Sequence, residues 1–156
     1  MKLHRYIIEV EGAGYSGQKA GIVPFLPDGR GLFAVSSNAA YGGTDPAIAK
    51  GRVDGKEDTK TAAVREGAEE LGLRADNMAS SPWLGWSGKI TGLDATYPMD
   101  VYAVLVKDEK AFDEPDKETA RTMWLTRAQF ETKGRKSHAQ IMAKVFDKIE
   151  VYLKDK

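Results

Sequence analysis

Residues 51–73 read GRVDGKEDTKTAAVREGAEELGL, and they contain the clearest structural signal in the 156-residue chain. Asp58 has a side chain that can accept hydrogen bonds from the first free N–H groups of a helix. Gly72 follows the last apolar residue of the stretch, and glycine readily adopts the left-handed conformation found just past a helix end. The spacing therefore predicts a helix over 58–71 with well-marked ends.

The predicted helix carries three acids close together. At about 100° per residue, Glu66, Glu69 and Glu70 fall within one sector, because spacings of three and four place side chains on one face. An apolar stripe falls nearly opposite, and its members are Val64, Gly67, Ala68 and Leu71. We expect this stripe to pack on a sheet and the carboxylates to point outward. A hard divalent ion such as Mg²⁺ or Mn²⁺ would relieve their mutual repulsion. The simpler alternative is a solvated acidic face.

Short β-branched and apolar runs predict strands elsewhere in the chain. These strands are residues 6–10, 21–26, 32–35, 83–89, 100–106 and 121–125. The turn sequence PDGRG at 27–31 joins the second and third strands as a hairpin. An amphipathic pattern predicts a long C-terminal helix over about 136–154. Together these elements indicate an α+β fold, in which a mixed, curled β-sheet is flanked by helices.

The composition fits one soluble globular domain over residues 1–156, since 42% of the residues are hydrophobic and 29% are charged. Lys plus Arg (23) balance Asp plus Glu (23), so no global positive field favours binding of a long nucleic acid. The chain has no cysteine, which leaves carboxylates as the main candidate metal ligands. The sequence has no secretory signal and no membrane-spanning stretch, so we expect a cytoplasmic location.

The stretch 51–73 resembles the Nudix box. In that pattern a glycine is followed after five residues by Glu, and after seven more by Arg-Glu, an aliphatic residue, any residue, Glu-Glu, any residue, Gly and an aliphatic residue. The positions in register are Gly51, Glu57, Arg65, Glu66, Glu69, Glu70, Gly72 and Leu73. Gly67 departs from the pattern, because the family has a bulky aliphatic residue there. The resemblance implies an α/β/α Nudix fold and metal-dependent hydrolysis of a phosphoanhydride bond in a nucleoside diphosphate linked to another group.

The resemblance also implies roles for individual residues. Three of them match the family's ligands of catalytic metal ions, namely Glu66, Glu69 and Glu70. Glu57 matches a residue that supports or joins this site, Arg65 matches one that orients a glutamate by a salt bridge, and Gly51 lets the loop pass close to the metals. The implied cofactor is Mg²⁺ or Mn²⁺. Because every box acid is present, an enzyme is favoured over a Nudix domain that senses a nucleotide without cleaving it.

Two flanking residues bear on the substrate. Lys50 stands directly before Gly51 and resembles the Lys-Gly opening of diadenosine polyphosphate and RNA-cap-trimming members, so it can pair with a phosphate. Its alternative is an exposed lysine at a strand end. Glu118 precedes Trp124 by six residues, which resembles asymmetric diadenosine tetraphosphate hydrolases, where the matching glutamate is a late metal ligand or general base. Its alternative is a solvated loop glutamate.

Further candidates for substrate binding are Arg52 for phosphate and the aromatic rings of Tyr41 and Trp83 for stacking on a base. For each of these residues, packing or a plain surface role is the alternative. The favoured substrate class is a dinucleoside polyphosphate such as diadenosine tetraphosphate, with ADP-ribose, another nucleotide derivative or a 5′-triphosphate RNA as alternatives.

Two other patterns leave alternatives or are set aside. A GxGxxG string at 12–17 precedes a predicted strand rather than a helix, which argues against a dinucleotide-binding fold. The last helix has an apolar stripe that fits either the core or a homodimer contact. Its members are Ile141, Val145, Phe146, Ile149 and Leu153.

Overall fold

The structure, a computed structural model, describes residues 17–41, 43–91 and 96–155. Six strands in these ranges form one mixed sheet. They are β1 (Lys19–Phe25), β2 (Gly31–Ser36), β3 (Ala49–Arg52), β4 (Met78–Thr91), β5 (Thr96–Val106) and β6 (Thr119–Leu125). The strand order is β4-β5-β1-β2-β6, and β3 pairs with β1 outside this path. β1 runs parallel to β5 and antiparallel to β2 and β3, so it is the centre of the sheet.

Helices cover both sides of the sheet. They are α1 (Thr59–Leu71), α2 (Arg127–Lys133) and α3 (Ala139–Lys154). One core lies between the sheet and α1, where Ala62 and Ala63 pack with Ile22. The other lies between the sheet and α3, where Phe146 packs with Phe25. Alternate residues of β1 serve the two cores, as the two-residue period of a strand requires. The predicted α+β fold is confirmed.

The hairpin predicted at 27–31 connects β1 to β2. Phe25 pairs with Gly31 across it, and the Leu26 N–H donates to the Arg30 carbonyl at 3.0 Å. Gly29 has a φ of 93°, a left-handed conformation that glycine adopts without a steric penalty.

The apolar stripe of the last helix lies in the core, because Ile141, Val145, Phe146 and Ile149 are all buried there. Leu153 is partly buried and packs against the same cluster. The helix itself begins later than predicted, at Ala139, and a 3-10 turn over Lys136–His138 precedes it.

Helix α2 was not predicted from the sequence. A capping box starts it, in which Thr126 Oγ1 accepts from the Gln129 N–H at 3.1 Å and Gln129 Oε1 accepts from the Thr126 N–H at 2.9 Å. Two predictions, the strand at 6–10 and most of the glycine string at 12–17, lie outside the described residues. Within the described ranges, no helix is long and apolar enough to span a membrane.

Candidate metal and catalytic site

The loop that leads into α1 is closed by Glu57. Its Oε1 accepts from the Asp54 N–H at 2.8 Å, and its own N–H donates to the Asp54 carbonyl at 3.0 Å. One residue later, Asp58 Oδ1 accepts from the Thr61 N–H at 2.7 Å and caps the helix, as predicted. The Glu57 carboxylate is thus held beside the first turn of α1 by backbone hydrogen bonds.

The other end of α1 is fixed by a contact that only glycine permits. Gly72 has a φ of 72°, and a Cβ on it would stand 1.7 Å from the Asp113 carbonyl oxygen. The Asp113 N–H donates to the Gly72 carbonyl at 2.8 Å, and the Asp116 N–H donates to the Glu69 carbonyl at 2.9 Å. These bonds dock the loop that leads to Glu118 against the C-terminal half of α1.

Arg65 is the centre of the site. Its Nη1 donates to Glu66 Oε2 at 2.9 Å and to Glu69 Oε1 at 3.3 Å. Its Nη2 donates to Glu57 Oε1 at 2.5 Å and to the Arg52 carbonyl at 3.0 Å. Three of the predicted site carboxylates therefore meet at one guanidinium.

The fourth acid around Arg65 was missed in the sequence. Asp54 Oδ2 lies 3.3 Å from Arg65 Nη2. Its position three residues before Glu57 gives little signal, because the turn that brings them together depends on Gly55, whose φ is 51°.

The charges of Arg65 and Glu57 stabilise each other. The hydrogen bond to Glu57 is the largest cause of a raised pKa for Arg65, and burial opposes it. The hydrogen bond from Arg65 is likewise the largest cause of a lowered pKa for Glu57. Glu57 is therefore a carboxylate at neutral pH, and as an anion it can bind a cation or accept a proton.

The expectation that all three acids of the helix point outward is wrong for Glu66. Glu66 is completely buried, with 0% of its surface exposed, whereas Ala68 of the expected core stripe is exposed. Glu69 and Glu70 are partly exposed. The buried face of α1 is wider than a stripe, because the helix packs against both β1 and β3. Glu66 is accommodated inside it through its ion pair with Arg65.

Gly67 allows α1 to pack closely on the sheet. A Cβ at this position would stand 2.9 Å from Ile22 Cγ2 and 3.0 Å from Leu73 Cδ2. Both distances are tighter than ordinary carbon contacts. Gly67 departs from the family pattern, and the side chains of Ile22 and Leu73 occupy the space that a bulky aliphatic residue would need there.

The substrate-binding candidates fall in different places. Lys50 and Arg52 are on β3, opposite Gly21 and Lys19 of β1. Gly51 between them is buried and pairs with Ala20. The side chain of Tyr41 lies outside the described part of the chain.

Trp83 lies near the first turn of α1. Its ring packs edge-on against Tyr102, with centroids 6.2 Å apart, and Lys60 Nζ lies 4.1 Å from its centroid. Because an α-helix rises about 1.5 Å per residue, Lys60 is roughly 13 Å along the axis from Glu69. Trp83 therefore packs near the first turn of α1, the end beside which Glu57 is held and the opposite end from Glu69.

The donor set suits a hard divalent cation. Carboxylate oxygens are the ligands that Mg²⁺ and Mn²⁺ prefer, and the box carboxylates already converge on a cationic group. Across the described ranges, no three carboxylate or imidazole side chains stand together as a ready metal site, and the Arg65 guanidinium lies among the box acids. Glu66 and Glu69 would have to rotate away from Arg65 for both to share an ion.

Comparison with protein families decides the assignment. The model described as the NUDIX domain matches residues 16–145 of the chain. The chain belongs to the Nudix family. No curated protein matches it.

Solved structures agree with the family in fold. An Ap4A hydrolase from C. elegans, solved as a binary complex, has a TM-score of 0.72 at 16% identity, over 89% of this chain and 98% of that one. The NUDIX domain of Shewanella oneidensis NrtR, solved with ADP ribose, has a TM-score of 0.63 at 13% identity, over 89% of this chain and 92% of that one.

A third neighbour was solved with a metal. It is a bifunctional NMN adenylyltransferase/ADP ribose pyrophosphatase from Francisella tularensis, complexed with AMP and a Mn ion. The TM-score is 0.66 at 13% identity, over 94% of this chain and 47% of that one. At 13–16% identity these neighbours show the fold, and the family match supports a pyrophosphohydrolase as the activity of this Nudix protein.

Proposed function

We propose that this Nudix protein uses Mg²⁺ or Mn²⁺ to hydrolyse a phosphoanhydride bond in a dinucleoside polyphosphate such as diadenosine tetraphosphate. The observation that carries the proposal is the convergence of Glu57, Glu66 and Glu69 on Arg65. A cluster of anions held around one cation is a site where a second cation can bind without rearrangement of the backbone.

Glu66, Glu69 and Glu70 would hold the metal, and the buried Gly51 lets β3 pass close beside them. A bound divalent ion supplies Lewis acidity to the phosphoanhydride and to the attacking water. Arg65 orients Glu66 and Glu69 through its Nη1. Arg65 also limits the repulsion among the carboxylates when the metal is absent.

Two glutamates are candidates for the general base that takes the proton of the attacking water. Glu57 is held as an anion by Arg65, which makes it a strong cation ligand and a weak base. Glu118 follows the loop that is docked on α1 through Asp116 and Glu69. We therefore assign the role of base to Glu118 and a supporting role to Glu57.

The substrate assignment rests on the residues around β3. Lys50 and Arg52 provide positive charge next to Gly51, where substrate phosphates would lie. Tyr41 and Trp83 stay predictions for stacking on a base. A specific observation favours a second candidate, ADP-ribose. One of the structural neighbours was solved with ADP ribose, and another is described as an ADP ribose pyrophosphatase.

The test is a substrate panel with Mg²⁺ or Mn²⁺, with and without chelator, and with products identified by chromatography. The panel contains diadenosine tri- and tetraphosphate, ADP-ribose, NADH and a 5′-triphosphate RNA. We expect the tetraphosphate to be split fastest, into unequal nucleotides. If ADP-ribose is cleaved faster than the tetraphosphate, the proposed substrate is wrong, but the proposed hydrolysis of a phosphoanhydride bond stands. Absence of cleavage of every compound with either metal would favour a nucleotide-sensing domain.

Two variants test the metal ligands. Glu69→Gln and Glu70→Gln each remove one charge from a partly exposed position, so the fold should persist while kcat falls by about a hundredfold or more. The matched control is Glu131→Gln on α2, an exposed acid whose Oε2 lies 3.7 Å from Arg127 Nε. Near-normal kcat in both box variants would refute the metal assignment.

A further inference from the structure

Helix α1 begins with a chain of hydrogen bonds that ties it to the sheet. Thr59 is the first residue of the helix, and its Oγ1 donates to Asp100 Oδ2 of β5 at 2.7 Å. The Tyr102 hydroxyl lies 2.6 Å from the same Oγ1. Because the threonine hydroxyl has one proton and gives it to Asp100, Tyr102 is the donor in the second bond. The chain therefore runs from Tyr102 through Thr59 to Asp100, and we call these three residues the anchor.

The two anchor residues of β5 lie on the side of the sheet on which α1 packs. Asp100 and Tyr102 are two apart in the strand and so point to the same side, and Tyr102 packs against the core between the sheet and α1. The next residue of the helix makes a second contact with this side, because Lys60 Nζ lies over the ring of Trp83, which packs edge-on against Tyr102. The first turn of α1 is thus held at two consecutive residues.

The anchor and the box glycine lie in one row across the sheet. Asp100 pairs with Ala20 in the parallel β1–β5 ladder, and Ala20 pairs with Gly51 in the β1–β3 ladder. Neighbouring strands are about 4.8 Å apart, so Asp100 and Gly51 are separated by roughly 10 Å. The pairing of three strands therefore sets the distance between Gly51 and the point to which Thr59 is tied.

The segment between these two points, residues 53–58, carries Glu57. One end of the segment is fixed to the sheet, because the Val53 N–H donates to the Gln18 carbonyl at 3.2 Å. The anchor fixes the residue that follows the other end, Thr59. An O–H···O bond is about 2.5–3.0 Å long, so a shift of Thr59 by about 0.5 Å away from its partners would break the anchor.

A second tie holds α1 on the opposite side of β1. Arg65 Nη2 donates to the Arg52 carbonyl of β3 at 3.0 Å and also to Glu57. Thr59 and Arg65 are six residues apart, which is about 9 Å along the helix axis. A helix tied at one point can pivot about that point, whereas two ties at this separation, one to β5 and one to β3, fix its direction across the sheet.

We propose that Asp100 and Tyr102 are positioning residues of the metal site, which act through Thr59 to fix the start of α1 and so the place of Glu57 relative to Gly51. The inference rests on the proposed metal site and extends it to β5, outside the box. Neither residue touches the metal or the substrate. Their effect arises because a binding constellation must be held within about 0.5 Å of its productive geometry. Without the anchor, Glu57 would have to be ordered when the metal binds, which weakens binding.

Binding of Mn²⁺ tests the anchor without any turnover. Titration calorimetry would compare the unmodified protein with Thr59→Val, which keeps the shape of the side chain and removes its hydroxyl, and with Thr59→Ser, which keeps the hydroxyl. The matched control is Thr61→Val, the same change at an exposed position of the same helix. We expect Thr59→Val to raise the Kd for Mn²⁺ at least fivefold, and the other two variants to change it less than twofold. Equal Kd values for Thr59→Val and Thr61→Val would overturn the proposal.

The other two anchor residues show whether one bonded chain is responsible. Asp100→Ala should weaken Mn²⁺ binding as Thr59→Val does, and the double variant should be no more than twofold worse than the more affected single variant, because both changes remove the same bond. Losses that multiply in the double variant would contradict a shared role. Tyr102→Phe keeps the ring that packs against Trp83 and serves as the folded substitute if thermal unfolding in chelator shows that Thr59→Val is unfolded.

Turnover separates positioning from a general loss of fold. Thr59→Val should raise the Mg²⁺ concentration for half-maximal activity at least fivefold, change KM for diadenosine tetraphosphate less than twofold, and recover kcat to within threefold at saturating Mg²⁺. A loss of kcat that no Mg²⁺ concentration restores would overturn the inference. If no substrate is cleaved but Thr59→Val binds Mn²⁺ more weakly than Thr61→Val, the proposed hydrolysis fails and the anchor stands. If the unmodified protein does not bind Mn²⁺, both fail.

Discussion

The ion pair between Arg65 and Glu66 should be a large single contribution to stability. Glu66 is 0% exposed, Arg65 is 28% exposed, and Nη1 lies 2.9 Å from Oε2. Arg65→Gln would leave a buried carboxylate without this cation. Removal of one partner from a buried ion pair costs about 3–5 kcal/mol. Because water can reach part of the Arg65 side chain, we expect the low end, about 3 kcal/mol in the free energy of unfolding.

The measurement is urea unfolding and thermal unfolding in chelator, so that bound metal does not contribute. For a domain of this size, about 3 kcal/mol corresponds to a fall in Tm of roughly 6–12 °C. The matched control is Arg127→Gln, whose guanidinium lies 2.9 Å from both Asp147 and Glu150. Those acids are more than half exposed, so the control should lose less than about 1 kcal/mol.

A double-mutant cycle isolates the cause. In a Glu66→Gln background there is no buried charge, so Arg65→Gln should cost about 2 kcal/mol less than it does in the unmodified protein. An equal cost in both backgrounds would refute the reasoning, because Arg65 would then stabilise the protein through Glu57 or through the Arg52 carbonyl instead.

Two further predictions concern packing and pH. Gly67→Ile restores the aliphatic residue of the family pattern, but its Cβ would meet Ile22 Cγ2 at 2.9 Å and Leu73 Cδ2 at 3.0 Å. We expect a loss of about 1–3 kcal/mol in urea unfolding, despite the better helix propensity; a higher urea midpoint would contradict this. The second prediction concerns His138, whose pKa is lowered in the folded state. Between that folded pKa and the unfolded value of about 6.5, the unfolded chain binds more protons. Stability should therefore fall as pH drops below about 6.5, by up to about 1.4 kcal/mol per pH unit. His138→Asn, which can still accept from the Ile48 N–H, should reduce this slope between pH 7.5 and 5, and an unchanged slope would rule out His138 as its source.

Much of the site could be predicted because its signals are local. The ends of α1 depend on Asp58 and Gly72, which act on backbone groups within one turn. The spacing of Glu66, Glu69 and Glu70 places them together on any helix. The hairpin at 27–31 is set by a five-residue turn in the same way. Helix α2 escaped prediction because a seven-residue helix is too short to show an apolar period.

The sequence by itself therefore determined the family, the acid-bearing helix and the mixed sheet. Only the tertiary structure decided that Glu66 is buried and that Asp54 joins Arg65. The physical reason is the range of the forces. Caps and helical spacing act between neighbours in sequence, whereas burial and ion pairing depend on which strands and loops the sheet brings to the same place.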